Sequence, residues 1–253
     1  MTARLEDQGD RLVVWNGNAG KRGALSPELY ATLTDAFEMA KDKRIRAVIL
    51  TSEGDFFCAG GDLSVLIERR NLSEVERQDK VDDLHDLIRY IRSSPVPVIA
   101  AVKGGAAGAG VSLALVCDFV LAQPDALFTA AYVKAGLVPD GGLTASLARL
   151  VPRTLAMEMC VLAEPVSAER LAAAGAITAV TDDVVSAAHT LADRVAAGPR
   201  VAQGVIRSMV ADAYDASEAA QLDRERDAMA RAAGEAEAGE GIAAFLEKRK
   251  PNF

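Results

Sequence analysis

Short apolar runs recur through the first two-thirds of the chain: RLVVW at residues 11–15, RAVILTS at 46–52 and VIAAV at 98–102, with a further buried one closing the stretch that ends at Ala122 and briefer ones at 127–130 and 177–180. They are rich in β-branched residues and too short for helices. They read as strands, the longer ones covered on both faces. Between them the apolar positions take helical spacing. Leu29, Leu33, Phe37 and Ala40 form one stripe, and Leu84, Leu87, Ile88 and Ile91 another. Ser26-Pro27-Glu28 marks the start of the first helix with an N-cap, a proline and an acid. Ser73 and Glu76 have capping-box spacing for the second, which runs over 73–93 and ends before Pro95 and Pro97. Further helices are predicted at 143–150, 153–162 and 167–174, the last closed by Gly175. From Asp182 onward only alanine-rich helical pattern remains. Strand–helix alternation followed by helices alone predicts an α/β fold with a core unit over 1–195 and a helical region over 196–253.

Composition narrows the function classes. Half of the 253 residues are hydrophobic and a quarter are charged, as in an ordinary globular protein. A net charge of −8 argues against a nucleic-acid partner. Residues 1–10 carry charge and no apolar core, so they do not read as a signal peptide. The longest uncharged apolar stretch, between Lys103 and Asp118, is too short and too glycine-rich to span a bilayer. Cys58, Cys117 and Cys160 are scattered, with neither a disulfide framework nor metal-ligand spacing, which fits a cytoplasmic location and no metal site. His85 and His189, the two histidines, lie in helical patterns.

The chemistry concentrates in two strand–turn–helix stretches. In the first, the strand at 46–52 runs into Ala59-Gly60-Gly61, and Asp62 then opens a helix as its N-cap. In the second, the strand at 98–102 is followed by Gly104, Gly105, Gly108 and Gly110 and by a small-residue helix from about Ala109. Turns of this kind leave backbone N–H groups unpaired at the helix start, where they can stabilise a negative oxygen. Tight helix-on-strand packing accounts for the same glycines.

Four tracts carry a resemblance: FFCAGGDLSVL at 56–66, KGGAAGAGVSLALVCDFVLA at 103–122, AYVKAGLVPDGG at 131–142 and GIAAFLEKRKPNF at 241–253. In order and spacing they resemble the enoyl-CoA hydratase/isomerase (crotonase) family over nearly the whole chain. The resemblance implies a crotonase-like spiral of repeated ββα units with a C-terminal helical trimerisation region. It implies an acyl-CoA substrate and a homotrimer or dimer of trimers. Coenzyme A then arrives as part of the substrate, and no other cofactor is expected. The family pattern places the thioester oxygen on the backbone N–H groups of Gly61 and Ala109. Lys21, Arg22, Phe245 and Lys248 fall where the family meets coenzyme A, together with main-chain groups of Cys58 and Ala59. The Lys248–Lys250 run also suits a helix C-terminus by itself. The segment before the second helix, residues 68–79, is often mobile in this family and covers the acyl pocket, although a solvated helix face is the commoner explanation of such a charge run.

The sequence departs from its relatives at the acid/base groups. Where the resembled hydratases carry two glutamates, this chain has Ser112 and Tyr132, and neither is a base near neutral pH. Asp140 sits in the loop where several Δ3,Δ2-enoyl-CoA isomerases of the family carry their single acid. It also suits a simple Pro-Asp-Gly turn. Ser112 reads as a wall residue or, with no histidine partner in view, as a weak candidate nucleophile. Tyr132 reads as a wall residue or as a donor that orients Asp140. The expected activity is enoyl-CoA isomerisation through a stabilised enolate. Hydratase or ring-hydrolase chemistry on an aromatic-derived acyl group is the alternative, and a non-catalytic CoA-binding protein the third reading.

Overall fold

The computed structural model describes residues 2–253. Strand β1 (Ala3–Asp7) pairs antiparallel with β2 (Arg11–Asn16). β1 carries only two apolar residues, buried Ala3 and half-buried Leu5, as befits an edge strand, so no apolar run announces it in the sequence. β3 (Ala47–Ser52), β4 (Val98–Val102), β6 (Phe119–Ala122) and β9 (Ala179–Val180) complete a six-stranded sheet in the order β1-β2-β3-β4-β6-β9. All pairings after β1–β2 are parallel.

The unbroken apolar runs follow from burial on both faces. Leu12, Val14, Val48, Leu50, Val98, Ala100 and Val102 face one core, shared with Leu29, Leu33 and Phe37 of α1 (Pro27–Met39) and Leu84, Leu87 and Ile91 of α3 (Glu74–Arg92). Val13, Ala47, Ile49, Ile99 and Ala101 point the other way, against Val184, Ala188, Ala192 and Val195 of α8 (Val184–Ala196). The caps are where the sequence puts them. Ser26 Oγ accepts the Leu29 N–H, and Ser73 and Glu76 form a reciprocal capping box.

A second sheet is small: β5 (Gly105–Ala107), β7 (Leu127–Thr129) and β8 (Val166–Ser167). Its first strand is built from residues that the sequence pattern assigns to a glycine-rich turn. The chain therefore steps from the large sheet to the small one and then into a helix: β4, β5 and α4 (Ala109–Leu115). The preceding turn of the spiral repeats this, with Cys58 making a single parallel bridge to Ala106 before α2 (Leu63–Arg69). This is the α/β spiral of ββα units that the resemblance implies. Residues 153–162 divide into α6 (Arg153–Met157) and a π-helical turn at Glu158–Leu162, rather than one continuous helix. α5 (Leu143–Leu150) precedes them, and α7 (Ala168–Ala173) follows β8.

The C-terminal helices are α9 (Arg200–Asp212), α10 (Glu218–Ala232) and α11 (Ala236–Glu247). Arg207 fixes α9 to the core. Its guanidinium donates to Asp118 Oδ2 at 2.6 Å and to the carbonyls of Arg92, Ser94 and Ile91. Asp118 Oδ2 also accepts the Val98 N–H at 2.8 Å, at the start of the central strand. Beyond this anchor the helices leave large apolar side chains in the open. Leu222, Met229, Ile242, Phe245 and Leu246 are all exposed. Among the described residues no helix is long and apolar enough to cross a membrane.

Burial pushes the Asp118 carboxyl above its ordinary range, and Arg207 opposes that shift. Arg207→Ala leaves the carboxylate without its partner and destabilises the chain by about 3 kcal/mol at neutral pH. A carboxyl raised in the folded state binds its proton more readily there than in the unfolded chain. The deficit therefore shrinks as pH falls through the folded-state titration. Urea melts of both proteins at neutral and mildly acidic pH measure the difference.

Candidate active site

The two strand–turn–helix stretches meet backbone to backbone. The Ala107 N–H donates to the Cys58 carbonyl at 2.9 Å. Gly60 has φ +83°, and a Cβ there would lie 2.7 Å from the Ala107 carbonyl oxygen and 2.8 Å from the Ala109 nitrogen. A Cβ on Gly110 would lie 2.1 Å from the Cys58 carbonyl oxygen. Glycine at these two positions lets one turn rest on the other. The result places the Gly61 and Ala109 N–H groups on neighbouring stretches of main chain. Neither donates to another protein group among the described residues. Two unpaired, fixed N–H donors are what an acyl oxygen needs when it takes up negative charge.

The first loop braces this junction. Asn16 Nδ2 donates to the carbonyls of Gly23 and Phe57, the Ala59 N–H to the Arg22 carbonyl, and the Leu25 N–H to the Gly60 carbonyl. The amide of Asn16 is buried and ties three segments together. In the sequence it reads as a loop residue, and its one distinguishing signal is its place at the end of a strand.

Of the residues expected at coenzyme A, Lys21 and Arg22 lie in the first loop, which bonds the turn at Ala59. Lys21 pairs with Asp62, the N-cap of α2. That ion pair, with Ser64 bonding the same carboxylate, holds Asp62 down to about 2. Arg22 stacks over the Phe56 ring, 4.0 Å from its centroid, and takes left-handed backbone angles. Ala59 is partly exposed. Cys58 is not: it is fully buried, its carbonyl is held by Ala107, and burial pushes its thiol up to about 12. Cys58 joins the two turns. Phe245 and Lys248 lie on α11 and at its end, in the exposed C-terminal region.

The acid/base positions converge. Tyr132 stands in a 3-10 turn (Ala131–Ala135), and Asp140 lies in the loop before α5. The Tyr132 hydroxyl donates to Asp140 Oδ1 at 2.7 Å. Ser112, fully buried on α4, has its Oγ 3.0 Å from the Asp140 carbonyl oxygen and 3.3 Å from the Tyr132 hydroxyl. Ser112 lies one helical turn, roughly 5 Å, along α4 from Ala109. One short helix thus links the unpaired Ala109 N–H to the loop that bears the Asp140 carboxylate. Burial first, and the Asp140 charge second, push the Tyr132 phenol well above its ordinary value, so it stays protonated as a donor. Among the described residues Asp140 Oδ2 makes no hydrogen bond. Tyr30 of α1 also borders this carboxylate; its phenol is raised by burial and then by the charge of Asp140. Sequence reading does not single it out, because it sits beside an ordinary helical stripe.

The spiral fold agrees with the comparisons to known proteins. A family model of enoyl-CoA hydratase/isomerase matches residues 18–253. The chain belongs to that family, within the crotonase superfamily. It is 36% identical to the 1,2-epoxyphenylacetyl-CoA isomerase of Escherichia coli K12, over 91% of this chain and 89% of that one. It is 32% identical to the 2,3-dehydroadipyl-CoA hydratase of the same organism, over 92% and 90%. The crystal structure of an enoyl-CoA hydratase from Polaromonas sp. JS666 superposes with a TM-score of 0.95 at 41% identity, covering 99% of this chain and 98% of that one.

Because a Cβ at Gly60 would collide with the backbone around Ala109, Gly60→Ala is expected to spread the two donors apart. Loss of one such donor lowers kcat by about a hundredfold to a thousandfold. Steady-state turnover of an enoyl-CoA, with circular dichroism to confirm a folded chain, reads this directly.

Proposed function

We propose that this acyl-CoA enzyme isomerises an enoyl-CoA, moving a double bond from the 3,4 to the 2,3 position with Asp140 as its single acid/base. The observation that carries the reading is the constellation around Asp140. Its carboxylate accepts the Tyr132 hydroxyl, its main-chain oxygen accepts the Ser112 hydroxyl, and neither of those two is a base near neutral pH. In this scheme the Gly61 and Ala109 N–H groups bind the thioester oxygen. Asp140 removes a proton from C2, the charge spreads into a dienolate held by the two donors, and Asp140 returns the proton at C4. No proton is gained or lost overall, and the scheme draws on no cofactor apart from the coenzyme A of the substrate itself.

Lys21, Arg22 and Ala59 are proposed to hold coenzyme A at the first loop, with Lys21 then dividing its charge between Asp62 and a phosphate. Phe245 and Lys248 complete that site from a neighbouring copy in a homotrimer or dimer of trimers, working in the cytoplasm. The exposed apolar side chains of α10 and α11 support assembly. If it occurs, sedimentation will give a multiple of three times the chain mass, and Phe245→Ser with Leu246→Ser will lower it.

A second reading, an acyl group derived from an aromatic ring, draws support from the likeness to the 1,2-epoxyphenylacetyl-CoA isomerase. Incubation with a 3-enoyl-CoA and a 2-enoyl-CoA in deuterated water, followed by mass spectrometry, separates the possibilities. The expected result is conversion of the 3-enoyl substrate, with Asp140→Asn slower by about a thousandfold. Gain of one water by the 2-enoyl substrate would mean hydration, and inertness toward both would favour the ring substrate or a binding role.

A further inference from the structure

We infer that Tyr132 and Ser112 are positioning residues that clamp Asp140 at two separate points: Tyr132 holds the carboxylate, and Ser112 holds the backbone beneath it. The inference rests on the isomerase reading only for its kinetic readout. Its geometry stands independently.

The hydrogen-bond directions divide the work. The Tyr132 hydroxyl has one proton, and it goes to Asp140 Oδ1 at 2.7 Å. A donor on a carboxylate oxygen favours the ionised form and fixes the side-chain rotamer. It also occupies one oxygen and leaves Oδ2 to meet substrate. The Ser112 hydroxyl likewise has one proton, and the nearer acceptor is the Asp140 main-chain oxygen at 3.0 Å, against 3.3 Å to the Tyr132 oxygen. Ser112 therefore fixes where the loop sits on α4 and does not touch the carboxylate. The seat is close-fitting: a Cβ on Gly141, which has φ +58°, would lie 2.9 Å from Ser112 Cβ and 3.2 Å from Leu84 Cδ2 of α3. Glycine beside Asp140 lets the loop settle onto Ser112.

Other charges surround the carboxylate. Tyr30 of α1 feels the Asp140 charge and, beyond it, those of Arg69 on α2 and Asp83 on α3. Arg92 of α3 reaches to 4.0 Å from where a Cβ on Gly142 would stand. None of these makes a hydrogen bond to the carboxylate, so the Tyr132 proton is the one direct contact that stabilises its charge.

The two points predict different phenotypes. Tyr132→Phe keeps the ring and removes the donor. Its kcat falls about tenfold with KM within about twofold, and the acid limb of its pH profile moves up by about one pH unit, because the base now takes its proton at higher pH. Ser112→Ala lowers kcat by a similar factor through misplacement alone, with the acid limb where it was. The carboxyl carbon of Asp140 is followed in parallel by 13C NMR on Asp-labelled full-length protein, assigned by its loss in Asp140→Asn. Its titration curve moves up by about one pH unit in Tyr132→Phe and stays in place in Ser112→Ala.

The NMR curve judges the clamp whether or not Asp140 is the catalytic base. If Asp140→Asn retains turnover, the isomerase reading fails, while a displaced curve in Tyr132→Phe still upholds the clamp. If Asp140→Asn is inactive but Tyr132→Phe leaves both curve and acid limb unmoved, the clamp is overturned and the isomerase reading survives. A Ser112→Ala variant that shifts the curve as far as Tyr132→Phe also overturns the division between the two points. Thermal melting shows whether each variant is folded. Should Tyr132→Phe not fold, Ser112→Ala decides: full kcat there overturns the clamp, and reduced kcat with an unmoved acid limb upholds it.

Discussion

The contact on which the site depends is between two backbones. The Cys58–Gly61 turn and the Ala107–Gly110 turn approach within distances that leave no room for a side chain between them. Everything else can be read as support for that approach. The parallel sheet brings β3 and β4 side by side, so their C-terminal ends point the following turns to the same edge. Asn16 and the first loop brace one turn from outside. β5 and the small sheet brace the other. Donors held this way need little reorganisation when charge appears on a bound oxygen, which is why a pre-built main-chain site is effective.

The large-scale organisation was legible in the sequence because burial on both faces leaves an unmistakable apolar run. Residues 11–15, 46–52 and 98–102 could hardly be anything but interior strands. Capping was equally legible, since Ser26, Asp62 and Ser73 act within a few residues of their own position. What escaped was short or exposed. β1 is an edge strand with a polar face, and β5 is three residues hidden inside what looked like a turn. The π-helical turn at Glu158–Leu162 has no pattern of its own.

At the site, residue types were readable but their partners were not. The absence of acids at Ser112 and Tyr132 could be seen at once, and Asp140 stood out as the remaining carboxylate. That all three touch one another depends on the 3-10 turn and the loop before α5 folding back onto α4, which no local spacing encodes. The same holds for Arg207 and Asp118, 89 residues apart in the chain. For Cys58, only the three-dimensional packing shows the side chain sealed beneath the turn.

That seal has a chemical consequence. A thioester with a 2,3 double bond is a soft electrophile, and a thiolate beside it would add to the β-carbon and leave the protein covalently blocked. Cys58 sits within the very turn that supplies one of the two main-chain donors. Closed off from solvent and pushed up to about 12, it remains a neutral thiol across the physiological range. A small polarisable side chain fills the space beneath the turn, and its thiol is shielded from alkylation by any unsaturated thioester that reaches the turn.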